Sequence, residues 1–200
     1  LKHRRLFNVR HWMFGLYTSH ALIFTPLACA QDLTLPSQGV VQQGQATLLQ
    51  GTGNLQINQH TERAVINWQS FNVGKDATVN FNQPSSSAVM LNRVTGSTPS
   101  NIYGNLRANG QIFLINSNGI YFGGGAEVSV GALVASTQSI SDQQFAVGNY
   151  VFQQNQSGAI LNDGSINGGY LALIAPQITN AGLLQATQGD VALLSGEAVS

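Results

Sequence analysis

Short apolar runs recur along residues 31–200, and within them apolar and polar positions alternate. Ile66 and Trp68, Val79 and Phe81, Ile120 and Phe122, and Val128 and Val130 are each spaced by two. That spacing is the side-chain period of a half-buried strand. Ala64–Trp68, Thr78–Phe81, Gln111–Ile115, Tyr170–Ile174 and Asp190–Leu194 are therefore predicted as strands. Gly-Asn, Asn-Gly, Asp-Gly and Gly-Gly pairs separate the runs and supply turn chemistry. No window sustains a helical period.

The runs also repeat at longer range. Gly169-Tyr-Leu-Ala-Leu-Ile-Ala and Gly189-Asp-Val-Ala-Leu-Leu-Ser have one shape and lie 20 residues apart. Each follows a small turn unit, Gly164-Ser-Ile or Gly182-Leu-Leu, and Gly104–Ile115 is an earlier copy. A strand-bearing period near 20 predicts a solenoid, because one repeat cannot bury its own apolar face. A uniform period predicts about eight coils and a rod on the order of 40 Å long. Residues 136–157 are the least repetitive and are predicted as an excursion, a hairpin or loop. The run Ser195–Ser200 follows a strand-like unit without a polar cap. The expectation is the N-terminal part of a longer protein, or a truncated product.

Composition supports strands over helices. Charged residues are 8% of the 200, against about 25% in an average domain. Polarity comes instead from Asn, Gln, Ser and Thr. The zero net charge hides an asymmetry, with Lys2, Arg4, Arg5 and Arg10 in the first ten residues. Residues 31–200 carry four bases and eight acids, a net charge of 4 − 8 = −4. An acidic body with scattered bases has no electrostatic footprint for nucleic acid.

The basic start, the apolar stretch Trp12–Leu27 and the small-residue site Ala28-Cys29-Ala30 read as a secretory signal over residues 1–30. Cleavage is expected between Ala30 and Gln31, after passage through the Sec machinery. A membrane anchor is the weaker reading, since Ser19 and His20 interrupt a run shorter than the roughly 20 residues a span needs. Lipidation at Cys29 is a second alternative, with Pro26 where a lipoprotein site usually has Leu. The first residue is Leu1, consistent with missing residues or an alternative start. Cys29 is the single cysteine, so the cleaved body has no disulfide and no cysteine metal site.

Several stretches in order carry a family resemblance. They are Ile66-Asn-Trp-Gln-Ser-Phe-Asn-Val-Gly74, Val79-Asn-Phe-Asn-Gln-Pro-Ser85, Leu91-Asn-Arg-Val-Thr-Gly96, Ala108–Asn116 and Gly131–Thr137. Asn116-Ser117-Asn118-Gly119-Ile120 matches an Asn-Pro-Asn-Gly motif with Ser in the second place. From residue 31 to about 175 the chain resembles the N-terminal secretion domain of two-partner secretion exoproteins. This is the filamentous haemagglutinin-type, or haemagglutination activity, domain. The resemblance implies an all-β fold: a right-handed parallel β-helix with an N-terminal cap and a small extra-helical hairpin or loop over residues 31–200. It implies a cognate outer-membrane β-barrel transporter whose periplasmic POTRA domains bind the incoming chain. It also implies export through the periplasm to the cell surface or medium, with folding outside.

Asn116, Ser117, Asn118, Gly119 and Ile120, with Asn92 and Arg93, are the candidate transporter-recognition or turn residues. Asn116 and Asn118 suit a turn by bonding their own backbone, and Gly119 suits a positive φ. Ser117 in place of Pro is expected to keep the turn with less rigidity. Arg93 reads either as a contact to an acidic patch on the transporter or as a partly buried base bonded to carbonyls. Trp68 and Phe71 read as core or cap packing.

The expectation is a non-enzymatic domain without a cofactor or metal. Asp76, Asp142, Asp163 and Asp190 are spread out, and His60 is the sole histidine after cleavage. Gly123-Gly124-Gly125 lacks the Lys-Ser/Thr of a phosphate loop. Two further readings are an adhesin module that binds host or cell-surface glycan along an Asn/Gln-rich face, and a specialised β-helix hydrolase or lyase.

Overall fold

A computed structural model of the chain describes residues 30–153, 158–195 and 198–199. Residues 1–29, which include Cys29 and all but the last residue of the expected signal sequence, lie outside the described residues. Gln31–Ser200 form one compact unit.

Two strands come first, β1 (Val40–Gln43) and β2 (Ala46–Gly51). Six coils follow. β3 (Asn54–Gln59) and β4 (Arg63–Trp68) make the first, and β5 (Thr78–Asn82) and β6 (Val89–Val94) the second. The third has β7 (Ser100–Ile102), β8 (Asn105–Ala108) and β9 (Gln111–Ile115). The fourth has β10 (Ile120–Phe122), β11 (Glu127–Ser129) and β12 (Ala132–Ser136). An excursion with helix α1 (Asp142–Ala146) and strand β13 (Phe152–Gln153) interrupts the coils here. β14 (Ala159–Asn162), β15 (Ser165–Gly168) and β16 (Leu171–Ile174) make the fifth coil. β17 (Gln177–Asn180), β18 (Leu183–Ala186) and β19 (Val191–Leu194) make the sixth. β20 (Ala198–Val199) pairs antiparallel with β13.

Stacking produces three sheets. Sheet 1 runs β4-β6-β9-β12-β16-β19, sheet 2 runs β3-β5-β8-β11-β15-β18, and sheet 3 runs β7-β10-β14-β17, all parallel. β1 adds antiparallel to β4, and β2 adds antiparallel to β3. These two strands form the expected N-terminal cap, and they occupy edges that would otherwise offer unpaired backbone groups.

The architecture is the expected β-helix, but its coils number six, not eight. Along sheet 2, Asn54 pairs with Thr78, Thr78 with Asn105, Asn105 with Glu127, Glu127 with Ser165, and Ser165 with Leu183. Successive coils therefore take 24, 27, 22, 38 and 18 residues. Only the 22- and 18-residue steps approach the 20-residue period read from the C-terminal third. The cap uses the chain up to Gly51, and the excursion lengthens one coil. The stack is shorter accordingly, about 24 Å from first coil to sixth at about 4.8 Å per step.

Register builds the core. Leu55, Val79, Leu106, Val128 and Ile166 are paired from coil to coil on sheet 2 and are all buried. Met90, Ile112, Leu133 and Leu171 do the same on sheet 1. Each such side chain contributes about 1.5–3 kcal/mol by leaving water.

From β4 to β12, sheet 1 is buried on both faces. Its outer side presents Val65, Leu91, Phe113 and Val134 to a second apolar cluster with Ile140, Phe145 and Phe152 of the excursion. The excursion is therefore neither a plain hairpin nor a free loop. Ser141 caps its helix by accepting a hydrogen bond from the Gln144 N–H (3.2 Å), with Asp142 in the first turn. Five helical residues are too few to show a period in the sequence.

Phe113 anchors this second cluster, with ring centroids 5.8 Å from Phe145, 4.8 Å from Tyr150 and 6.3 Å from Phe152. Phe113→Ala is expected to lower unfolding free energy in urea by about 3–5 kcal/mol. Leu183→Ala, at a side chain 53% exposed, is expected to cost far less.

Candidate functional site

The motif Asn116–Ile120 connects β9 to β10 at one corner of the helix. The Gly119 N–H donates to the Asn116 carbonyl (3.1 Å), closing a four-residue turn. The Asn118 N–H donates to Asn116 Oδ1 (3.0 Å), an Asx turn nested in the first. Gly119 has φ +120°, and a Cβ there would lie 3.1 Å from the Ala159 carbonyl. The conformation calls for glycine, and a Cβ would crowd that carbonyl. Ile120 is buried and begins the next strand.

Both asparagine side chains also reach the preceding corner. Asn116 Nδ2 donates to the Thr98 carbonyl (3.0 Å) and to Ser100 Oγ (3.0 Å). Asn118 Nδ2 donates to the Gly96 carbonyl (2.9 Å). The Asn116 N–H donates to the Ser136 carbonyl of the following coil (3.0 Å). Asn116 is fully buried, and Asn118 is half-buried. The motif is thus a joint between corners, with its amides spent inside the fold. Ser117 sits at the second turn position, half-buried, and its N–H has no partner among the described residues.

Asn92 and Arg93 are not on this turn. Both lie in β6. Asn92 is fully buried, accepts from the Trp68 indole N–H (3.1 Å) and donates to the Phe113 carbonyl (3.4 Å). Trp68 itself packs edge-on against Phe71, at 5.6 Å between centroids, and both are buried core residues. Arg93 is bonded inside the protein: Nη2 donates to the Ile140 carbonyl (2.7 Å), and Nη1 pairs with Asp142 Oδ1 (2.7 Å). It fastens the root of the excursion to the second coil. Ala30 and Gln31, the expected cleavage residues, are both exposed.

Two groups of residues went unassigned in the sequence. Arg63 donates to the Phe145 carbonyl (3.4 Å) and to the Tyr150 hydroxyl, with its guanidinium carbon 5.7 Å from the Tyr150 ring centre. Half of the four bases after residue 30 therefore hold the excursion. Their scarcity in a strand-rich body was the available signal. The second group is a buried glutamine ladder. Gln83 Nε2 donates to Gln59 Oε1 (3.0 Å) and to the Ala88 carbonyl (3.0 Å), and Gln83 Oε1 accepts from the Gly110 N–H (3.0 Å).

The titratable groups are dispersed. Among the described residues no group of three or more His, Cys, Asp or Glu comes together. His60 Nε2 shares a hydrogen bond with Thr47 Oγ1 in the cap (2.9 Å). The Tyr121 phenol donates to Asp163 Oδ2 (2.7 Å), and that bond pushes its pKa up. The Thr34 hydroxyl and N–H hold the Asp32 carboxyl below the usual carboxylate range.

Two substitutions in the turn are expected to act in opposite directions. Asn116→Ala leaves the buried Ser100 hydroxyl and the Thr98 carbonyl without this partner, at a cost of about 1–3 kcal/mol. Ser117→Pro removes an N–H that makes no bond and restricts the unfolded chain, for a gain of about 0.4–1 kcal/mol. Urea unfolding of both variants measures the two effects.

A family model for the TPS secretion domain matches residues 32–199. The heme/hemopexin-binding protein of Haemophilus influenzae is 36% identical over 180 residues, covering 84% of this chain and 20% of that protein. The crystal structure of the HMW1 secretion domain from Haemophilus influenzae is similar with TM-score 0.79 and 32% identity, covering 82% of this chain and 45% of that one. The filamentous hemagglutinin secretion domain has TM-score 0.56 and 21% identity over 80% of this chain and 64% of its own, which shows the shared fold. The chain spans one fifth of the length of the curated relative it matches. With this fold, this corner motif and a family match across nearly all of residues 31–200, the chain belongs to the two-partner secretion (TPS) domain family.

Proposed function

We propose that this domain is an address label for the outer membrane, read while unfolded by the POTRA domains of a cognate β-barrel transporter. The observation that carries the reading is the fate of the Asn116–Gly119 motif. In the folded domain Asn116 is fully buried, and both asparagine amides are bonded internally. A partner that reads these side chains must do so before the coils close. The route begins with a Sec-dependent leader over residues 1–30, cleaved between Ala30 and Gln31, and continues through the periplasm. A body without cysteine after Ala30 cannot be trapped there by disulfides.

Folding outside the cell supplies direction. β1 and β2 close the first coil by antiparallel pairing, and each later coil stacks on the one before. Coil-by-coil addition is the behaviour of a repeat fold with nearest-neighbour interfaces. The domain thereby nucleates the β-helix of a larger surface or secreted exoprotein of adhesin type. Its work is binding and folding, not catalysis.

The test is release of the chain into the medium from a bacterial host with and without a POTRA-bearing transporter. Release is expected only with the transporter, and the purified POTRA pair is expected to bind the urea-unfolded chain but not the refolded one. Equal release in both hosts, or equal binding of folded and unfolded chain, sinks the proposal.

A further inference from the structure

A trough runs along the corner between sheets 2 and 1, from Ser86 of the second coil to the sixth coil, with a volume of about 580 Å³. That volume lies within the roughly 300–1,000 Å³ range of small-molecule sites. Glycines of the fourth, fifth and sixth coils line it: Gly131, Gly168, Gly169 and Gly189. Gly131 and Gly169 lie so close to neighbouring backbone that a Cβ would sit 2.6 and 2.5 Å from the Gly110 and Gly131 carbonyls. The corner packing enforces glycine, and the missing side chains leave the trough open.

The floor's backbone is already paired. The Gly169 N–H donates to Gly131 (2.7 Å), and the Gln188 N–H donates to Gly169 (3.0 Å). What faces a ligand is therefore side chains. Ser129 and Asn167 are register partners on sheet 2, and Gln188 belongs to the next coil. Among the described residues, Ser129 and Gln188 have no side-chain hydrogen bond to protein, and Asn167 uses only its Nδ2, toward Ser165 Oγ (3.1 Å). Tyr170 is 37% exposed, and its hydroxyl donates to Gln111 Oε1 (3.0 Å), which holds the ring in place. No residue lining the trough is charged. An adjoining groove is lined by a base, Arg107.

We infer that this trough binds a neutral oligosaccharide lengthwise, independently of the secretion role. Amides and hydroxyls both donate and accept, as a ligand covered in hydroxyls requires. A fixed, half-exposed tyrosine offers an apolar face to the C–H side of a sugar ring. An uncharged lining gives an anionic ligand no counter-charge. An extended peptide is disfavoured because the trough follows a corner between strands and not a sheet edge, and its lining is mostly polar or glycine.

Calorimetry on the exported, folded chain tests this with four probes: cellotetraose, maltotetraose, tetragalacturonate and a Ser/Asn-rich octapeptide. At least one neutral tetrasaccharide is expected to bind. Ser129→Ala with Gln188→Ala is expected to weaken it about tenfold, the loss of two hydrogen bonds, without changing the melting temperature. Ser129→Trp, which fills the trough from an exposed strand position, is expected to abolish binding with melting again unchanged. The inference is overturned if neither neutral probe binds, if only the tetragalacturonate or the octapeptide binds, or if both variants bind like the parent chain.

Discussion

Parallel, in-register stacking is the constraint on which the whole domain rests. A single coil satisfies almost none of its own backbone groups, because its strands face different directions and pair only with the coils above and below. The same register that supplies those bonds sets Leu55, Val79, Leu106, Val128 and Ile166 in one column. A slip of one residue would turn that column outward. Hydrogen bonding and burial thus select the same alignment.

Corners are where such a fold is most exposed to error, since strand pairing stops there. Amide side chains take over. Asn116 and Asn118 reach back to the 96–100 corner, Gln83 bridges Gln59 and the Gly110 backbone, and Asn162 donates to Asn180 Oδ1 at 2.7 Å. Each is buried or half-buried; Asn116, Gln83 and Asn162 bond through both ends of the amide and Asn118 through its Nδ2, and such pairing is the condition for a polar group in a core to stabilise rather than cost. A charged residue in these places would need a counter-charge that the low-charge body does not hold. Part of the Asn and Gln content noted in the sequence is this set of joints.

The excursion changes the one-dimensional character of the stack. Arg63 in the first coil, Arg93 in the second and Phe113 in the third all hold a segment that leaves after the fourth. The segment ties coils that do not otherwise touch, so the domain gains cooperativity that nearest-neighbour contacts alone would not give. It also covers an apolar outer face that would otherwise be an exposed patch of the kind that invites association. For a chain that emerges progressively, this docking comes after the coils it fastens.

The sequence by itself determined the strand class, the solenoid, the glycine-dependent turn at Asn116–Gly119 and the core role of Trp68 and Phe71. These follow from local rules: a period of two, turn residues between runs, and apolar residues that must be buried. It did not determine the number of coils, because corner loops and the excursion differ in length and the step from coil to coil varies from 18 to 38 residues. Nor did it determine that Asn92 bonds Trp68, that Arg93 and Arg63 point to the excursion, or that glycines from separate coils line one trough. Those pairings join residues far apart in the chain and exist only once register is fixed. Tertiary structure decided them, because only the stack brings the partners within bonding distance.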